Sequence, residues 1–156
     1  DVWGLQRDAE MAPLIAARGV PVIVMHNRDG VDPAIDIVAD MKTFFDRSLG
    51  IAAQAGIARD KIVLDPGIGF GKTVEHNMQL IDELAAFHGF GCAVLLGASR
   101  KSYIGRLSRG EAPKQRLAGT LAAHQMGWER GAQIVRVHDV AEAAQARAIW
   151  LAACCR

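Results

Sequence analysis

Polar chemistry in this sequence collects where short apolar runs stop. Four runs, at residues 20–25, 61–65, 92–97 and 133–138, are rich in Val, Ile and Leu, and each ends in polar or glycine-bearing turns. The first delivers Met25, His26, Asn27, Arg28 and Asp29. The second delivers Asp65, Pro66, Gly67, Ile68, Gly69, Phe70, Gly71, Lys72 and Thr73. The third delivers Gly97, Ala98, Ser99, Arg100, Lys101 and Ser102, and the fourth Arg136, Val137, His138 and Asp139. Five fixed cations (Arg28, Lys72, Arg100, Lys101, Arg136) stand there against three acids (Asp29, Asp65, Asp139), with His26 and His138 in reserve. That balance suits a small anionic ligand. Cations beside glycine turns suit phosphate in particular, because backbone N–H groups can approach closely. The plainer reading, solvated charges at loop tips, has to hold at four turns at once.

Asp65 ends an apolar run and precedes Pro66, which has no N–H to donate. Its carboxylate can accept two parallel N–H bonds from a flat, guanidine-like edge, or it can simply form an Asp-Pro-Gly turn. Arg136 and His138 are two apart, so a continuous strand puts both on one face with Val137 on the other. Two cationic groups there ask for a diphosphate or carboxylate between them, or for pairing with Asp65 or Asp139. Phe70 among glycines is either an aromatic wall for a flat ligand or a core side chain. The segment around Gly71-Lys72-Thr73 fails as a phosphate loop, since Pro66 stands where the first glycine belongs, and it fails as a dinucleotide fingerprint because Lys72 occupies the last glycine's place. His26 and His138 have no nucleophilic partner in sequence. No metal-ligand spacing joins Asp65, Asp139 and the histidines. Cys92 reads as a core thiol, and His76, His88 and His124 as surface or structural groups away from the run ends.

Helical patterns separate the runs. Asp32-Pro33 offers a cap and first-turn proline for a helix ending at Gly56, with Ile35, Val38, Met41, Phe45, Leu49 and Ala52 as its stripe. Asn77 is the expected cap of the next, with Leu80, Ile81, Leu84 and Phe87 inward and Gly89 as the stop. Helices are also expected over 114–129, with Leu117, Leu121 and Ala122 inward, over 141–153, and more weakly over 8–18. Helix followed by four strand–helix units, with strand starts 41, 31 and 41 residues apart, is an α/β pattern. It fits either an open doubly wound sheet or part of a (βα)8 barrel. The continuous apolar runs suit parallel strands covered on both faces.

The composition agrees with one domain over residues 1–156. Half the chain is hydrophobic (51%), enough for a sizeable core. Lys plus Arg is 18 and Asp plus Glu 17, a net charge of +1, which excludes nucleic-acid binding argued from bulk charge. Three cysteines, Cys92, Cys154 and Cys155, are a poor disulfide or zinc set and suit a reduced cytoplasmic setting. No apolar stretch approaches the roughly 18 residues of a membrane span. The opening Asp1-Val2-Trp3-Gly4, without Met, reads as the interior of a larger domain.

Asp65-Pro66-Gly67-Ile68-Gly69-Phe70-Gly71-Lys72 with His76-Asn77, then Gly97-Ala98-Ser99-Arg100-Lys101-Ser102, then Arg136-Val137-His138-Asp139-Val140 together resemble the dihydropteroate synthase family. Met25-His26 fits an earlier strand end of that family, and Asp1-Val2 the tail of its Asn-Asp-Val motif. The resemblance runs the length of the chain. It implies a partial (βα)8 TIM barrel, strands five to eight with their helices. It implies a transferase that joins p-aminobenzoate to 6-hydroxymethyl-7,8-dihydropterin diphosphate, with Mg2+ whose main family ligand is absent from this chain. It assigns catalytic roles to Lys101, Arg136 and Asp65. Asp65 would read the amino-pyrimidine edge, Lys101 would lie beside the pterin and aminobenzoate, and Arg136 would stack on the pterin and hold the diphosphate with His138. Met25 and Phe70 would be pocket walls, and Gly69, Gly97 and Ser99 substrate contacts. The resemblance also implies a homodimer, and no nucleic-acid or membrane partner. Methyltetrahydrofolate-corrinoid methyltransferases share the pterin-binding barrel but need no diphosphate clamp. An inactive half-barrel, or a fusion to another folate enzyme, is the remaining alternative.

Overall fold

A computed structural model describes residues 1–154; Cys155, counted above with Cys154, lies outside the described residues. The chain runs α1 (Met11–Arg18), β1 (Val22–Met25), α2 (Ile37–Ala55), β2 (Ile62–Asp65), α3 (Val74–Asp82), β3 (Ala93–Leu96), α4 (Ser102–Leu107), α5 (Leu117–Glu129), β4 (Ile134–Val135) and α6 (Val140–Cys154), with short 3-10 turns at Arg59–Lys61, Leu84–Phe90 and Pro113–Gln115.

The four strands form one parallel sheet in the order β1-β2-β3-β4. Each strand pairs with the next in sequence, without the reversal that defines a doubly wound sheet. The order is that of an arc of a (βα)8 barrel. Register assigns the faces: Val22 pairs with Ile62, Met25 with Asp65, Leu64 with Val94, and Leu95 with Ile134. Side chains alternate along a strand. Val22, Val24, Ile62, Leu64, Val94 and Leu96 therefore share an outer face, and all six are buried with Phe45, Met41, Leu80, Ile81 and Phe87 of the surrounding helical segments. Ile23, Met25, Val63, Asp65, Leu95 and Ile134 share the inner face. Cover on both faces holds at Met25, Asp65 and Leu95, which are buried, and lapses at the sheet edges. Ile23 and Ile134, on the two edge strands, are 42% and 39% exposed.

Several boundaries also differ from expectation. Asp36, not Asp32, caps α2, its Oδ1 accepting from Val38 and Ala39 at 3.1 and 3.0 Å; the helix starts where the apolar stripe begins, at Ile37. Thr73, not Asn77, caps α3, in a reciprocal box with His76. The stop expected at Gly89 comes earlier, at Asp82, and Gly91 takes the left-handed turn instead. Ala122 is exposed and Leu117 and Leu121 half-buried, while Thr120, Ala123, His124, Gly127 and Trp128 form the buried side of α5. The apolar residues of this helix are spread around its circumference and leave no stripe from which to choose.

His124 is fully buried, and among the described residues neither ring nitrogen has a hydrogen-bond partner; the Trp128 ring lies beside it at 6.4 Å between centroids. Burial lowers its pKa to about 4. A folded-state pKa below the unfolded 6.5 means that unfolding takes up a proton, so stability falls as pH drops from about 6.5 toward 4. At pH 5 this one group is expected to cost about 2 kcal/mol. Urea unfolding of His124→Leu at pH 7 and pH 5 should show that share of the acid loss removed.

Candidate functional site

Alternation along the strands makes the first placement. Met25 and Asp65 sit on one rung of the β1–β2 register, at the C-terminal ends of their strands and on the inner face. Both are buried. Asp65 Oδ1 accepts the Gly67 amide at 2.8 Å. Burial raises the carboxyl's pKa, and the Gly67 hydrogen bond, then Arg136, Lys101 and Lys72, pull it back. Among the described residues no cation comes within ion-pair distance of Asp65.

The β2–α3 loop folds tightly back on the strand. Gly69 donates to Asn77 Oδ1 at 2.6 Å, and Asn77 Nδ2 donates to the Thr73 carbonyl at 2.5 Å. The loop presents the Phe70 ring, and Lys101 Nζ lies over it, 4.0 Å from the ring centroid. Lys101 also passes close to Gly69: a Cβ there would be 3.1 Å from its Cδ. A Cβ on Gly97 would stand 3.2 Å from an Arg136 guanidinium nitrogen and 3.7 Å from Asp65 Oδ2. The missing side chain leaves a space that the acid and the base both face.

The β3–α4 turn is braced from α5 and from the β4–α6 turn. Arg100 has φ +56°, a left-handed conformation that costs a residue with a Cβ about 1–2 kcal/mol. Three contacts hold it there. Its amide donates to Thr120 Oγ1 at 2.9 Å, its carbonyl accepts from Arg116 at 3.0 Å, and its guanidinium grips both carboxylate oxygens of Asp139. The flanking Ser99 and Lys101 line a cleft of about 540 Å³ with Phe70, Gly97, Arg136 and His138. Ser99 Oγ is 2.9 Å from His138 Nδ1 and accepts the His138 amide at 3.2 Å.

So the expected site residues Phe70, Gly97, Ser99, Lys101, Arg136 and His138 share one cleft, Asp65 adjoins it across Gly97, Gly69 contacts Lys101, and Met25 lies beside Asp65. Three expectations change. β4 ends at Val135, so Arg136 and His138 lie on a turn, and Val137 lines the same cleft instead of facing away. The cationic face is smaller than counted: Arg28 pairs with Asp40 at 2.7 Å, Arg100 with Asp139, and Lys72 is buried inside the loop. His26 is buried too, with Nε2 3.1 Å from Asp40, and burial first, then Lys72, lowers its pKa to about 4. Of the bracing residues, Thr120 and Arg116 carry no motif signal, and Asn77 stands in the motif but is expected there as a helix cap; each acts on backbone that the fold brings near.

A family model described as "Pterin binding enzyme" matches residues 1–138. The dihydropteroate synthase of Bacillus subtilis is 41% identical over 145 residues, which cover 93% of this chain and 50% of that protein. The chain spans about half the length of the curated dihydropteroate synthases it matches. Among solved structures, a Clostridium difficile dihydropteroate synthase with pteroic acid superposes with TM-score 0.93 at 43% identity, covering 97% of this chain and 57% of that one. The Thermus thermophilus enzyme in complex with 6HMPPP superposes with TM-score 0.91 at 42% identity, covering 98% and 60%.

Proposed function

The chain belongs to the pterin binding enzyme family, and on that premise we propose that it is the C-terminal part of a dihydropteroate synthase barrel. The reaction joins p-aminobenzoate to 6-hydroxymethyl-7,8-dihydropterin diphosphate in folate biosynthesis. The observation that carries the reading is the facing of Asp65 and Arg136 across Gly97, with the Phe70–Lys101 pair beside them.

A flat pterin fits the Phe70 side of the cleft and presents its amino-pyrimidine N–H groups to Asp65. Arg136 covers the ring and, with Lys101 and His138, faces the diphosphate arm. His138 Nδ1 is engaged with Ser99, which leaves Nε2 for an oxyanion. The methylene C–O bond breaks and its electron pair leaves on diphosphate, where the cations stabilise the growing charge. The pterin spreads the positive charge on the methylene carbon. The arylamine nitrogen attacks, a C–N bond forms, and the amine's proton passes to solvent. No protein nucleophile is required; the side chains position and stabilise. Mg2+ belongs to the family chemistry. Among the described residues no three His, Cys, Asp or Glu side chains gather to hold an ion, so no step here runs through it. The open inner face at Ile23 and Ile134 is where further barrel strands would pack. The reading includes a homodimer and a cytoplasmic setting, to which the free thiols of Cys92 and Cys154 are suited.

Diphosphate release that needs both pterin diphosphate and p-aminobenzoate, measured on the protein carrying the whole barrel, is the expected result. The 156-residue chain alone is expected to release little. Release without the arylamine, or methyl transfer from a folate in its place, would overturn the synthase reading.

A further inference from the structure

The reaction above leaves one buried charge unused. Lys72 is 7% exposed. Its ammonium donates to the carbonyl oxygens of Phe70 at 2.9 Å, Gly67 at 3.0 Å and His26 at 3.4 Å. An ammonium has three N–H bonds, and here each has a carbonyl. Among the described residues no carboxylate lies within ion-pair distance of it. A buried cation without an acid beside it is costly. A chain that needed only to fill this volume would do better with Met or Leu.

The three carbonyls explain what the charge does. His26 follows the last residue of β1. Gly67 is the residue whose amide holds Asp65 Oδ1. Phe70 carries the ring under Lys101. One ammonium therefore ties the end of the neighbouring strand to both the acid and the aromatic wall of the cleft.

We propose that Lys72 is a positioning residue for pterin recognition: an internal ammonium that fixes Asp65 and the Phe70 ring against the end of β1 and gives the Asp65 carboxylate a buried positive neighbour. The proposal rests on the pterin reading of the site.

The surroundings make the charge sensitive to neutral pH. Burial lowers the Lys72 pKa to about 7; Asp65 and then Asp40 oppose that shift, and Arg28 and Lys101 add to it. His26, also packed against the loop, is neutral there. Loss of the proton leaves two N–H donors for three carbonyls and removes the positive neighbour, so affinity falls as pH rises through about 7.

The test is calorimetric binding of 6-hydroxymethylpterin, without its diphosphate, to the protein carrying the whole barrel, from pH 6 to 9. Wild type is expected to lose about tenfold in affinity across that range. Lys72→Met is expected to bind at least tenfold more weakly at pH 6 and to show no such slope, with a melting temperature equal to or above wild type. Lys72→Arg keeps the charge at every pH and is expected to flatten the slope. If Lys72→Met does not fold, the wild-type slope and its loss in Lys72→Arg decide the matter. A wild-type slope that survives in Lys72→Arg, a flat wild-type profile, or a Lys72→Met variant with wild-type affinity and slope overturns the proposal. Wild type that binds no pterin at any pH overturns the functional reading instead.

Discussion

Replacing Asp65 by Asn is expected to weaken pterin binding by about 100- to 1000-fold while leaving the fold as stable as before or more so. The two effects separate because, on the function proposed above, Asp65 serves a ligand at the expense of the fold. The residue is 3% exposed, and its carboxylate accepts one backbone amide and has no ion-pair partner among the described residues. Burial raises its pKa despite that amide and three cations farther off. The folded state thus binds this proton more readily than the unfolded chain, and at neutral pH the ionised group opposes folding. Asn keeps the shape and can still accept from Gly67, but it carries no charge to desolvate. Binding works the other way. A carboxylate offers two charged acceptors to two N–H donors, each worth about 1.5–3 kcal/mol. Asn offers one neutral acceptor and turns an N–H2 toward a donor. Acidification should mimic the substitution, and at a higher pH than an ordinary aspartate would, because the carboxyl is already raised. Pterin titration calorimetry and thermal melting of Asp65→Asn check both halves. Binding within threefold of wild type would remove Asp65 from the site.

The parts of this site that could be read from sequence share one physical origin. A strand buried on its outer face needs Val, Ile or Leu at alternate positions, so polar residues stand out where it stops, as at Asp65 after Ile62-Val63-Leu64. Strand ends at one rim of a barrel then collect the chemistry. Where that contrast fades, the reading fails. The fourth run continues Val135-Arg136-Val137 in a strand-like alternation, yet pairing ends at Val135; only the Arg136 amide, donating to the Leu96 carbonyl at 3.1 Å, still follows the neighbouring strand. In α2, two aspartates could cap the helix, and the choice fell to the one adjoining Ile37 and Val38, which are buried. Lys72 was visible as a cation but not as a buried one, because its partners are carbonyls, which every residue has. Arg100 was visible as a charge next to the site but not as its brace, because Thr120, Arg116 and Asp139 reach it from 16 to 39 residues away.

Gly67→Ala tests the same loop through its backbone. Gly67 has φ +65°, a region that costs a residue with a Cβ roughly 1–2 kcal/mol. The added Cβ would also overlap the His26 carbonyl oxygen, and it would lie 3.1 Å from that carbonyl's carbon and 3.3 Å from Lys72 Nζ. The carbonyl cannot easily yield. The His26 amide donates to the Asp65 carbonyl at 2.9 Å, extending the β1–β2 ladder by one rung. The loop must move instead, and it carries the amide on Asp65, the carbonyl under Lys72 and the ring at Phe70. Gly56 supplies the control for strain alone: its φ is +84°, it ends α2, and a Cβ there meets nothing within 4 Å. Gly89, with neither strain nor a neighbour, controls for the substitution itself. Denaturant unfolding should give little change for Gly89→Ala, about 1 kcal/mol lost for Gly56→Ala, and about 3 kcal/mol or more for Gly67→Ala. Pterin affinity should fall only in the last. Equal losses at positions 56 and 67, with binding intact in both, would mean that the loop relaxes around a methyl group and that the tight apposition of residues 26 and 67 is not what sets the acid in place.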